Sequence, residues 1–138
     1  MVTKGPLMVI GLYKEDVPDK VHLQDMDPKG QILFEPDPEV AMRNLKDLNT
    51  PLPALIILNI GHPDDGVSYI QSLKSDSNLK LVPVIAFGED HDTRNINAYY
   101  ASGIAGYIFK PGTEEAWAEI IHAMNAYWTL SLLPNRIG

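Results

Sequence analysis

The chain has 138 residues, 45% of them hydrophobic, which is enough to fill one core and leads us to expect a single compact domain. Eleven Lys and Arg against 18 Asp and Glu leave a net charge of −7, which repels phosphate backbones and anionic lipid, so neither nucleic acid nor a membrane surface is an expected partner. Cysteine is absent, excluding disulfides and thiolate chemistry; no charged-then-apolar leader and no apolar run near the roughly 18 residues of a bilayer span is visible, so a soluble cytoplasmic protein is expected.

The first apolar run, LMVIGL (7–12), reads as a strand. In the next stretch, 13–30, Pro18 and Pro28 bracket only nine residues, so a first crossover helix is expected to be short or irregular. QILFE (31–35) reads as a second strand. DPEVAMRNLKDL (37–48) reads as a helix with Asp37 as N-cap, Pro38 at the first helical position, and Ala41, Leu45 and Leu48 on one face.

LIIL (55–58) is apolar throughout, as a strand buried on both faces should be, and it ends in Asn59. HPDDG (62–66) reads as a turn, where Asp bonds its own backbone, and GVSYIQSLKSD (66–76) as a helix with Val67, Ile70 and Leu73 inward. PVIAF (83–87) is a fourth strand, after which GEDHD (88–92) leads to Asp92 as the cap of a helix closed by Gly103. GYIF (106–109) is a fifth strand. From Thr113 the last helix carries an inward stripe of Trp117, Ile120, Ile121, Met124 and Trp128, with Glu114 and Glu115 at the positive end of its dipole.

Five strands alternating with helices predict an α/β, flavodoxin-like domain over 1–138. Such a fold has a five-stranded parallel sheet of order 2-1-3-4-5, helices on both faces, and a site between the ends of the first and third strands. Asn59 is the first polar side chain at the carboxyl end of the third strand, and so the first candidate. His62, Asp64 and Asp65 sit among turn residues, and GEDHD lacks zinc or calcium spacing, so no metal and no cofactor are expected.

Three stretches in order, LIILNIGHPDDG (55–66), VSYIQSLKSDSNLKLVPVIAF (67–87) and ASGIAGYIFKP (101–111), resemble the CheY-like receiver domain of two-component response regulators, a resemblance running from Gln31 to Trp128. The tail IIHAMNAYWTLSLLP (120–134) is similar to small phytochrome-associated response regulators. The resemblance implies a phosphoacceptor Asp where this chain has Asn59, and a neutral amide is a poor nucleophile and a weak ligand for Mg²⁺. It also implies a metal-binding acidic pair where Gly11 and Leu12 stand, and a phosphate-bonding Ser or Thr at Gly88. Lys110 and Pro111 keep the family's Lys–Pro pair, whose bond is cis in receivers, and Tyr107 matches its rotamer-changing aromatic. From the residues alone, Lys110 equally serves to bond Asn59 or nearby carbonyls, and Tyr107 equally serves as packing.

The expectation is therefore a degenerate receiver, or pseudo-receiver. It would not be an enzyme but would act in two-component, phosphorelay-type signal transduction by protein–protein interaction, without aspartyl phosphorylation. Its partner would be a signalling protein: a histidine kinase, a phytochrome or an output protein. One alternative is a residual phosphoacceptor holding Mg²⁺ on Glu15 and Asp16 through a slipped first strand, and another is a small-ligand module using the switch-point crevice. A homodimer through Ala123, Tyr127 and Leu130 on the last helix is also expected, against the reading of Tyr127 and Leu130 as a lid with Leu132, Leu133 and Pro134.

Overall fold

The structure is a computed structural model that describes residues 7–11, 32–61, 63–110 and 113–130. Five strands, β1 (Leu7–Gly11), β2 (Ile32–Glu35), β3 (Leu55–Asn59), β4 (Val84–Gly88) and β5 (Gly106–Phe109), pair in parallel in the spatial order β2-β1-β3-β4-β5. Every residue of β3 is buried, as its unbroken apolar run requires of a central parallel strand. Residues 12–31, where a first crossover helix was expected to be short or irregular, lie outside the described residues.

Helix α1 (Pro38–Lys46) starts where its cap is encoded: the Asp37 carboxylate accepts from the amides of Glu39 and Val40 at 3.0 and 3.4 Å, and Pro38 needs no partner for a missing N–H. Ala41 and Leu45 are buried against the sheet core, but the helix stops at Lys46. Leu48, expected on the same face, falls beyond that end and is 69% exposed.

Helix α2 (Pro63–Ser75) corrects the reading of HPDDG as a turn. Pro63 opens the helix, Asp64 and Asp65 occupy its first turn at the positive end of the dipole, and Gly66 is helical. A β-carbon at Gly66 would stand 2.8 Å from Ile60 Cγ2 and 3.2 Å from Tyr99 Cε1, so the absence of a side chain is what lets the helix lie this close. Ile70 and Leu73 from α2 are fully buried. A 3-10 turn, Leu79–Leu81, follows, and Lys74 Nζ donates to the carbonyls of Val82 (2.7 Å) and Lys80 (3.3 Å) beside it.

Helix α3 (Thr93–Ser102) packs on α2. Asp92 caps its N-terminus, accepting from the Arg94 amide at 2.9 Å, and Gly103 closes it at φ 118°, a left-handed conformation that suits glycine. Helix α4 (Glu114–Leu130) follows directly on Thr113, whose hydroxyl accepts from the Ala116 amide at 3.2 Å. Of its expected inward stripe, Ile120 and Met124 are half-buried and face Leu55, Ile85 and Ile108; the side chains of Trp117, Ile121 and Trp128 lie outside the described residues. Ile10, Ile56, Leu58, Val84, Ala86 and Tyr99 sit among the core residues that hold the layers together, each fully buried Ile, Leu or Val side chain contributing on the order of 1.5–3 kcal/mol.

Candidate functional site

The sheet brings three of the singled-out residues to one edge. Asn59 ends β3; Gly11, the last residue of β1, is its partner on one side, and Phe87 of β4 is its partner on the other. Gly88 is the next residue of β4 and pairs with Phe109 of β5. The loops leave this edge in fixed register, because the Ile60 amide donates to the Phe87 carbonyl and the Lys110 amide donates to the Gly88 carbonyl, both at 2.8 Å. Lys110 thus stands beside Gly88 at the carboxyl end of the sheet.

Asn59 is only 2% exposed. A neutral amide is tolerated there when it is hydrogen-bonded, whereas a carboxylate buried to the same depth needs a cation to offset its desolvation. Neither Gly11 nor Gly88 has a side chain with which to hold one. Among the described residues no group of three or more His, Asp or Glu side chains is placed to hold a metal ion. Leu12, the other acidic-pair position, and Glu15, Asp16, His62 and Pro111, including the Lys110–Pro111 bond, lie outside the described residues.

The neighbourhood of Gly88 is organised by Tyr107. A β-carbon at Gly88 would lie 2.7 Å from Tyr107 Oη and 3.3 Å from its Cε2, so the phenol occupies the space a side chain at 88 would need. That hydroxyl accepts from the Asp90 amide at 2.9 Å and donates to the Asp90 carbonyl at 3.0 Å. The Asp90 carboxylate in turn accepts from the Asp92 amide (2.8 Å) and from Asn95 Nδ2 (2.7 Å), which ties the loop to the first turns of α3. The Tyr107 ring stacks on that of Tyr99, with centroids 5.5 Å apart and planes 10° from parallel. Burial, with the negative field of Asp90 behind it, pushes the Tyr99 phenol up to about 12, and burial raises the Tyr107 phenol as well, so both stay protonated across the physiological range.

Beside this network lies a polar crevice of about 310 Å³, bounded by Ile60, Gly61, Gly88, Glu89, Asp90 and His91. His91 stacks on Phe109 at 4.3 Å, and Phe109 and Tyr100 are 48% and 46% exposed, an aromatic face along the β5 edge. Tyr100 Oη accepts from the Tyr107 amide at 3.0 Å. On α4, Ala123 is exposed and lines an apolar hollow of about 430 Å³ against the sheet; the side chains of Tyr127 and Leu130 lie outside the described residues. Asp90, Asn95 and Tyr99 take part in the network although the sequence reading gave them no role. The only local signal was an Asp two residues before a helix cap.

No family model matches the chain. The response regulator Rcp1 of Synechocystis sp. is 25% identical over 81 residues, which are 58% of this chain, so the match spans about half (55%) of that protein's length. Among solved structures, the phosphorylated cyanobacterial phytochrome response regulator RcpA superposes with a TM-score of 0.77 at 21% identity, covering 96% of this chain and 99% of that one. The Mn²⁺-bound form of Rcp1 gives 0.74 at 21% identity, over 94% and 99%. Response regulator RPA3017 of R. palustris, from red light signaling, gives 0.72 at 21% identity, over 95% and 99%. Sheet, helices and these superpositions together give the chain the fold of a response-regulator receiver domain, flavodoxin-like in its parallel sheet.

Proposed function

We propose that this chain is a degenerate receiver that works in signal transduction by protein–protein contact and carries out no phosphotransfer of its own. The observation that carries the reading is the buried amide of Asn59 at the carboxyl end of the central strand, paired across the sheet with Gly11. Phosphoryl transfer to a side chain needs a nucleophilic oxygen and a cation to neutralise the incoming charge. An amide supplies neither the nucleophile nor a strong ligand for that cation, and Gly88 offers no hydroxyl to the transferred group. Lys110 and Tyr107 remain as parts of a scaffold whose reactive oxygen has been replaced.

The relatives named above include a phosphorylated response regulator and a Mn²⁺-bound one; this chain keeps their fold and differs in the chemistry its edge allows. Its partner belongs to the same signalling class, a histidine kinase, phytochrome or output protein. A second copy pairs with it through the α4 face that includes Ala123, Tyr127 and Leu130. Titrating the amide resonances of Asn59 and Gly88 with Mg²⁺ to millimolar concentration tests the reading: they stay in place, whereas saturable shifts would favour the alternative in which Glu15 and Asp16 hold the ion.

A further inference from the structure

The geometry around Gly88 points to a built-in clamp: we propose that Tyr107 is a positioning residue that holds the 88–92 loop and the start of α3 in one arrangement, whatever is offered to the Asn59 end of the sheet. The clamp deepens the phosphorylation-independent reading and can fail separately from it. Its grip is two-pronged, because one hydroxyl accepts from the Asp90 amide and donates to the Asp90 carbonyl, at 2.9 and 3.0 Å. An oxygen bonded both ways to a single main-chain residue leaves the phenol little freedom to swing. The ring is held on its face by Tyr99, itself 1% exposed, and the β5 amide at Tyr107 is anchored on Tyr100 Oη.

What permits this placement is Gly88. A β-carbon there would lie 2.7 Å from the hydroxyl, closer than carbon and oxygen can rest without a bond, so a side chain at 88 forces the phenol to shift from this placement. From Asp90 the hold passes on: its carboxylate takes the Asp92 amide and the Asn95 side chain, and Asp92 caps α3. The loop also carries His91, stacked on Phe109, so the aromatic face along β5 is set by the same contacts. A switchable version of this region would need two positions for the ring. Here one position is bonded at the hydroxyl, stacked on its face and unopposed at residue 88.

The test is residue-resolved amide hydrogen exchange on the full 138-residue chain, for wild type, Tyr107→Phe and Gly88→Ala, each with and without acetyl phosphate and Mg²⁺. Tyr107→Phe keeps the ring and removes only the oxygen; the exchange rate of the β3 amides Ile57 and Leu58 reports that the core is intact. The Asp90 amide is expected to be protected in wild type, to stay so when acetyl phosphate and Mg²⁺ are added, and to exchange on the order of tenfold faster in both variants. Equal Asp90 exchange in wild type and Tyr107→Phe, with the β3 amides unchanged, would overturn the clamp, as would loss of wild-type Asp90 protection on adding acetyl phosphate and Mg²⁺. A gain of one phosphate in mass with Asp90 still protected would instead overturn the proposed function and leave the clamp standing.

Discussion

Gly88→Ala is the perturbation on which the structure commits itself most. Gly88 lies in a strand, and Gly103 is the positive-φ glycine among the described residues, so alanine at 88 fits the backbone. A strand glycine that met nothing would gain about 0.5–1 kcal/mol from the change, through the lost freedom of the unfolded chain. Here the new methyl stands 2.7 Å from Tyr107 Oη and 3.3 Å from its Cε2, so the ring must move away. That movement breaks the two hydrogen bonds to Asp90, at about 1 kcal/mol each, and part of the Tyr99 stack, worth about 0.5–1.5 kcal/mol. The loss exceeds the gain, leaving a net destabilisation of about 1–2 kcal/mol. Urea unfolding of wild type, Gly88→Ala, Tyr107→Ala and the double variant reads this directly. In the Tyr107→Ala background the methyl has nothing to strike, so Gly88→Ala becomes stabilising there, with a coupling of about 2–3 kcal/mol between the two positions. A Gly88→Ala protein more stable than wild type would refute the reasoning.

Asn59→Asp alone gives no Mg²⁺-dependent labelling by acetyl phosphate, because a carboxylate at this 2%-exposed position regains the nucleophile without the ion that must neutralise the phosphoryl charge; robust labelling would bring Glu15 and Asp16 into the site. Stability falls at alkaline pH: the Tyr99 phenol holds its proton more tightly folded, at about 12, than unfolded, near 10, so its contribution is complete below pH 10 and is lost as pH rises through 12. Tyr99→Phe flattens that loss in urea melts run from pH 8 to 12, and an unchanged slope would assign it elsewhere. Sedimentation shows a concentration-dependent dimer for wild type and a monomer for Tyr127→Glu; a dimer indifferent to that charge counts against the α4 face.

Where the fold was legible in the sequence, a local rule had no competitor. The run 55–58 is apolar without interruption and became the fully buried β3, while Asp37 with Pro38, and Asp92 with Gly103, delimited their helices as caps. HPDDG was misread because Pro, Asp and Gly serve a turn and a helix start equally well; the approach of Gly66 to Ile60 and Tyr99 favours the helix, and that contact is tertiary. Leu48 kept the helical spacing of Ala41 and Leu45 after the helix itself had ended. At the site, Asn59 announced itself as the first polar residue after an apolar run. The link from Tyr107 to Asp90 did not, since it joins residues 17 apart across the sheet's end, and no local pattern encodes a hydroxyl that fits because residue 88 lacks a side chain.

The central claim, a receiver fold without phosphotransfer, is tested most directly by intact-mass measurement of the wild-type chain after incubation with acetyl phosphate and Mg²⁺, alongside a receiver known to be labelled under the same conditions. Asn59 supplies no nucleophilic carboxylate, so the mass is expected to stay that of the unmodified chain while the control gains one phosphate. A gain of one phosphate mapped to residues 55–66 would contradict the account.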